Sequence, residues 1–174
     1  MSTQDIRETR LTDSDMSRDS LPILYVMIGV SGSGKSSFVE NIPDREWSRM
    51  DVVSTDAIRE ILFGSEEDQS CPASVFLEAY DRMNCQLKHG FDVIFDATNT
   101  TTRGRKEILK NVSVPCRKVA VLVMTPLEIA LERNSNRRRH VPEDVIKRQY
   151  EQLLRDGKSI PEQFDDIIFV KREG

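Results

Sequence analysis

Short continuous apolar runs alternate along this chain with stretches whose apolar residues recur every three or four positions. The runs are Ile23–Gly29, Met50–Ser54, Phe91–Phe95, Val119–Met124 and Ile167–Val170. A run without polar alternation predicts a strand covered on both faces, as in parallel sheets. Between the runs, Val75, Phe76, Ala79, Tyr80, Met83 and Leu87 share one face of a helix. So do Val145, Ile146, Tyr150, Leu153 and Leu154. That helix is expected to have Pro142 at its first position, Glu143 and Asp144 in its first turn, and Gly157 just past its end. Thr125-Pro-Leu-Glu128 matches a capping box with Pro126 as the first helical residue. Strands alternating with helices predict right-handed βαβ units and a parallel sheet. Ligands of such sheets bind at the carboxyl ends of the strands.

Composition narrows this picture. The 174 residues are 38% hydrophobic and 31% charged, with 29 acids against 25 bases and a net charge of −4. A generally basic coat for nucleic acid is therefore excluded, and any nucleic-acid site has to be a local basic patch. Residues 1–21 carry five acids, three bases and almost no apolar side chains. They are expected to form a disordered arm, leaving residues 22–174 as a single domain. The longest apolar run, Ile23–Val30, is too short to cross a bilayer, which takes about 20 residues. With no apolar segment after the N-terminus, no secretory signal and no membrane partner are expected. Cys71, Cys85 and Cys116 show no CxxC spacing. They read as reduced thiols in a cytosolic protein. His140 has no partner at metal-ligand spacing, so no structural metal is expected.

The chemistry begins at Gly29-Val-Ser-Gly-Ser-Gly-Lys-Ser36, which fits G-x-x-x-x-G-K-S directly after a strand and before a helical pattern. Glycines let the backbone fold closely round a phosphate, and successive N–H groups at a helix start make an anion nest. The expected ATP-binding residues are Gly29, Ser31, Gly32, Ser33, Gly34, Lys35, Ser36 and Ser37. Lys35 would reach the β- and γ-phosphates and Ser36 would ligate Mg²⁺. Asp96 ends the strand FDVIFD; it either holds a metal-bound water or contacts a substrate. Thr98 and Asn99 follow, as substrate-orienting groups or as plain turn residues. Asp56 stands at the carboxyl end of the second predicted strand, where a carboxylate can accept a hydroxyl proton or merely complement a helix dipole. Arg59, three residues on, either binds an anionic acceptor or pairs with Asp56. Arg133–His140 holds four arginines and reads as a lid over the phosphate loop. Thr102–Lys118 carries six bases and one acid, as an acceptor surface or as a solvated helix face.

Four pieces, GVSGSGKSS, STDAIRE, FDATNTT and RNSNRR-x-x-VP, stand in the order found in P-loop polynucleotide kinases. The chain resembles that family over most of residues 22–170. The resemblance implies a five-stranded parallel sheet in the order 2-3-1-4-5, with helices on both faces and a helical lid. It implies transfer of the ATP γ-phosphate to the 5′-hydroxyl of DNA or RNA ends in nucleic-acid repair, with Mg²⁺, in the cytoplasm of a bacterial or phage-infected cell. Asp56 then matches the general base and Arg59 the arginine on the acceptor's phosphate. Asp96 and Asn99 match a polar pair beside the acceptor, and Arg133 and Arg137 match the lid arginines on the donor phosphates. The pattern also resembles a wider set of bacterial and phage P-loop kinases. A small-molecule kinase acting on a sugar, nucleoside or nucleotide-sugar is therefore the alternative, and a non-catalytic nucleotide switch the third reading.

Overall fold

The computed structural model describes residues 21–66, 70–137 and 140–171. The expected N-terminal arm, all but its last residue, lies outside the described residues, as do Arg138 and Arg139 of the basic segment. Five strands form one all-parallel sheet: β1 (Ile23–Ile28), β2 (Met50–Ser54), β3 (Asp92–Asp96), β4 (Arg117–Met124) and β5 (Asp166–Lys171). Their order is β2-β3-β1-β4-β5, as the resemblance implied. The helices are α1 (Lys35–Glu40), α2 (Thr55–Phe63), α3 (Pro72–Lys88), α4 (Thr102–Lys110), α5 (Leu127–Ser135), α6 (Glu143–Asp156) and the short α7 (Ile160–Gln163).

The runs in β1, β3 and β4 become strands with both faces covered, whereas the run in the edge strand β5 is not covered on both faces and leaves Phe169 68% exposed. On one face Leu24, Val26, Phe95, Ala120 and Leu122 meet Ile58 of α2, Val75, Ala79 and Met83 of α3, Ile108 of α4 and Ile146 of α6. On the other, Tyr25, Met27, Ile94 and Val121 meet Phe38 and Val39 of α1. Helices thus lie on both faces, unequally. Two strands extend beyond their apolar runs at charged ends: Arg117 pairs in register with Ile23, and Asp166 with Val119. Such ends reach solvent, so hydropathy alone stops short of them.

The two expected helix starts at Pro142 and at Thr125–Glu128 are corrected. Pro142 and Pro126 are not first helical residues; each holds an extended ψ (137° and 144°) and precedes the helix. Thr125 forms no capping box, because its hydroxyl donates instead to the carbonyl of Ser33 at 2.8 Å. Gly157 stands just past the end of α6, as expected. At φ −60° it leads into a 3₁₀ turn and on to α7.

Arg105 overturns both readings of the basic run Thr102–Lys118 at its own position. It is fully buried, neither solvated nor open to an acceptor. Its Nε donates to Gln163 Oε1 (2.8 Å), Nη1 to the Asn99 carbonyl (2.9 Å), and Nη2 to the Asp156 carbonyl (2.7 Å) and Ser159 Oγ (3.0 Å). It therefore ties the loop after β3 to the end of α6 and to α7. Arg105→Leu leaves these acceptors unpaired and is expected to cost about 3–5 kcal/mol, read as a lower urea midpoint. An unchanged midpoint would show that water replaces the guanidinium at no cost.

Candidate active site

The phosphate-loop sequence folds as its glycines require. Gly32 and Gly34 take positive φ values of 81° and 98°. A Cβ on Gly32 would stand 2.4 Å from the carbonyl oxygen of Ala130 in α5, so glycine lets the loop press against that helix. Gly34 caps α1, whose first N–H groups have no partner within the helix and face the loop's concavity. Lys35 folds back, its Nζ donating to the carbonyls of Gly29 and Val30 at 2.9 Å each.

A cleft of about 950 Å³ runs over the carboxyl ends of β1, β2 and β3. The structure brings most expected site residues to it: Ser31, Gly32, Gly34, Lys35, Ser36 and Ser37 from the loop, Asp56 and Arg59 from α2, Asp96 and Thr98 from β3 and beyond, and Arg133 and Arg137 from the lid. Asp56 reaches this place because Ser54 caps α2, its Oγ accepting from the Ala57 N–H at 3.3 Å. The Asp56 side chain is 54% exposed, while its partner Arg59 is buried. Arg59 Nη1 donates to Asp56 Oδ1 at 2.6 Å and to the Glu66 carbonyl at 3.3 Å. Arg59 Nε is buried with no hydrogen-bond partner. The lid is fastened at its base by Asn134. Its Nδ2 donates to the Val141 carbonyl, and its Oδ1 accepts from the Val141 N–H, at 2.8 and 2.9 Å.

Three expected residues do not line the cleft. Ser33 is fully buried beneath Gly29, whose missing Cβ makes room for its hydroxyl. Gly29 backs the loop, its N–H donating to the Thr98 carbonyl at 3.0 Å. Asn99, expected to orient substrate, is buried in a left-handed turn at φ 50°. Its Nδ2 donates to the Met27 carbonyl at 2.7 Å, tying the loop to β1. Asn99 lines a second, smaller cavity beside the cleft. Conversely, Gln149 of α6 gave no sequence signal, yet its Oε1 accepts from the Ser31 N–H at 2.9 Å. Thr125 gave a misleading one; only its place after β4 marks it as a support of the phosphate loop.

Electrostatics sharpen the site. Burial pushes the Lys35 ammonium down to about 8, opposed by Asp96 and reinforced by Arg137. Burial likewise raises the Asp96 carboxyl above its ordinary range, with Lys35 pulling it back and Asp56 pushing it further up. In the free protein Lys35 is charged below pH about 8 and loses its proton above it. Asp96 gains a proton on acidification earlier than an ordinary aspartate. The kcat/KM for ATP is therefore expected to fall on both sides of neutrality, with an alkaline limb near pH 8. A profile flat to pH 10 would contradict the buried, low-lying Lys35.

Among the described residues no helix is long and apolar enough to cross a membrane. The chain is 27% identical over 159 residues to the L-seryl-tRNA(Sec) kinase of Methanococcus maripaludis, a match covering 83% of this chain and 58% of that protein. The chain thus spans little more than half of that relative. Among solved structures it is similar to a chain of the Pnkp1/Rnl/Hen1 RNA repair complex, with a TM-score of 0.73 and 20% identity, over 86% of this chain and 49% of the other. It is also similar to a gluconokinase from Sinorhizobium meliloti 1021, with a TM-score of 0.55 and 21% identity, over 87% and 83%. At these identities the structural likenesses are of fold, and that fold is the P-loop kinase fold. Residues 24–156 match the model of AAA_33, an AAA domain, and the chain belongs to that family.

Proposed function

We propose that the protein transfers the γ-phosphoryl group of ATP to the 5′-hydroxyl of DNA or RNA ends, as a cytoplasmic nucleic-acid repair kinase. The observation that carries this reading is the Asp56–Arg59 pair facing the same cleft as Lys35 and Asp96. An exposed carboxylate can take the proton of an attacking hydroxyl. The guanidinium at its side lines the same cleft and can take an anion on the same substrate. A nucleic-acid 5′ end has both: a hydroxyl and, one sugar away, a phosphate. The names of two relatives, a seryl-tRNA kinase and an RNA repair complex, support an RNA-related acceptor.

In this reading the 5′-oxygen bonds to the γ-phosphorus as the bond to the β–γ bridging oxygen breaks. Asp56 accepts the hydroxyl proton, and ADP leaves. Ser31, Gly32, Gly34 and Ser37 line the phosphate cradle, which Gly29 and Ser33 shape from behind. Lys35, Arg133 and Arg137 hold the donor phosphates and offset charge on the transferring group. Thr98 borders the acceptor, and Asn99 fixes the loop behind it. Ser36 and Asp96 fit magnesium, since a hydroxyl and a carboxylate in one cleft are the hard oxygen donors that ion takes while keeping its waters. Ser36 would ligate it directly and Asp96 through a water. A magnesium ion held by these residues would supply positive charge to offset that of the donor phosphates.

Incubation with γ-labelled ATP and 5′-hydroxyl DNA and RNA oligonucleotides tests the reading. Label is expected in a 5′-terminal phosphate. No transfer to any oligonucleotide would remove the assignment.

A further inference from the structure

A second cavity, of about 530 Å³, opens off the main cleft. The two share a wall that includes Phe76, Thr98 and Arg148. Thr98 follows Asp96 by two residues, so a substrate whose hydroxyl sits by Asp96 and Asp56 can extend directly into the side cavity. Its volume is within the roughly 300–1,000 Å³ of small-ligand sites.

The lining has a definite chemistry. Phe76 and Tyr80 lie one turn apart on α3, with ring centroids 6.0 Å apart at 45°. Tyr80 stacks in turn on Phe95 of β3, at 6.1 Å and 23°, so this aromatic wall is braced by the sheet. Gln152 lines the cavity from α6. Thr100 Oγ1 donates to its Oε1 at 2.9 Å, which leaves Nε2 as a donor. Glu107 of α4 adds a carboxylate acceptor. Its charge and, above all, burial keep the Tyr80 phenol protonated at higher pH than usual. Aromatic rings set beside amide and guanidinium donors and an acceptor carboxylate suit a planar ring that has hydrogen-bonding edges. Unpaired bases are recognised in this way, by stacking on aromatic side chains and bonding at their edges. A sugar acid has no planar face to lay there.

We propose that this side cavity is the base-binding subsite of the acceptor. It takes the nucleobase of the 5′-terminal nucleoside against Phe76 and Tyr80, and Arg148 meets the acceptor backbone where it crosses between the cavities. The inference rests on the proposed 5′-hydroxyl kinase reading. Base–aromatic stacking then contributes to acceptor recognition and has no part in binding ATP.

The test compares two oligonucleotides differing only in whether the 5′-terminal residue carries a base. Wild-type protein is expected to phosphorylate the abasic end with a kcat/KM lower by about 5–100-fold. Tyr80→Leu should lose a similar factor on the normal end and nothing further on the abasic one. Equal kcat/KM for both ends in the wild type would overturn the subsite, and so would an undiminished abasic penalty in Tyr80→Leu. If Tyr80→Leu does not fold, the wild-type comparison decides alone. Wild-type protein that phosphorylates neither end would overturn the kinase reading, and the subsite with it.

Discussion

Asp56→Ala is expected to lower phosphoryl transfer to a 5′-hydroxyl by about 10²–10⁴-fold while leaving the affinity for Mg·ATP within a factor of a few. The split follows from position. Asp56 enters the cleft from α2, at the carboxyl end of β2, whereas the phosphate loop and lid are built on β1, α1 and α5. Its oxygen contacts the Arg59 guanidinium and leaves much of the carboxylate exposed to an incoming hydroxyl. Removal of the side chain takes away the proton acceptor and also frees Arg59 to shift. The acceptor KM should rise alongside the fall in kcat. Asp56→Asn, which keeps a partner for Arg59, should restore much of the acceptor KM without restoring kcat. Steady-state kinetics with nucleotide-binding titrations would resolve this. Wild-type turnover in Asp56→Ala would remove it as the base.

Lys35→Ala is expected to fail differently. It removes the only cation that the phosphate loop itself supplies, and kcat should fall by about 10²–10³-fold. On the proposed reading nucleotide affinity should fall as well, since Lys35 would hold donor phosphates before and during transfer. Lys35 is costly to keep charged where it stands, because burial already lowers it to about 8. A bound triphosphate restores the charged form, so nucleotide binding near pH 8 should take up a proton in wild-type protein and not in Lys35→Ala. Calorimetry in buffers of different ionisation enthalpy measures that uptake. A variant that binds ATP like the wild type would show that Lys35 serves only the loop carbonyls it now contacts.

The sheet was legible because its physics is local. A buried parallel strand must be apolar on both faces, and such runs stood clear of their surroundings, although the fifth proved to be an edge strand with Phe169 exposed. The phosphate loop was legible because only glycine tolerates the conformations of Gly32 and Gly34. Asp56, Asp96 and Arg137 could be placed because each sits at a strand end or in a lid segment that faces the loop. What failed depended on partners distant in sequence. Thr125 reads as a helix cap by spacing, but the Ser33 carbonyl, 92 residues away, takes its hydroxyl. Arg105 reads as one base in a charged run, but besides the nearby Asn99 carbonyl its acceptors lie on α6, α7 and the turn between them. Asn99 is polar and close to the site, yet the Met27 carbonyl, 72 residues back, claims its amide. Gln149 is a plain helical glutamine until α6 folds over Ser31. No window of sequence contains both halves of such contacts.

The central claim concerns the acceptor, since the P-loop kinase fold is shared by proteins named for RNA repair and for gluconate. The most direct measurement is a competition in one tube, with γ-labelled ATP, a 5′-hydroxyl oligonucleotide, a free nucleoside and gluconate. The Asp56–Arg59 pair predicts that label accumulates on the oligonucleotide's 5′ end, at a kcat/KM well above that of either small alcohol. Faster labelling of the nucleoside or of gluconate would contradict it and assign the cleft to a small-molecule acceptor.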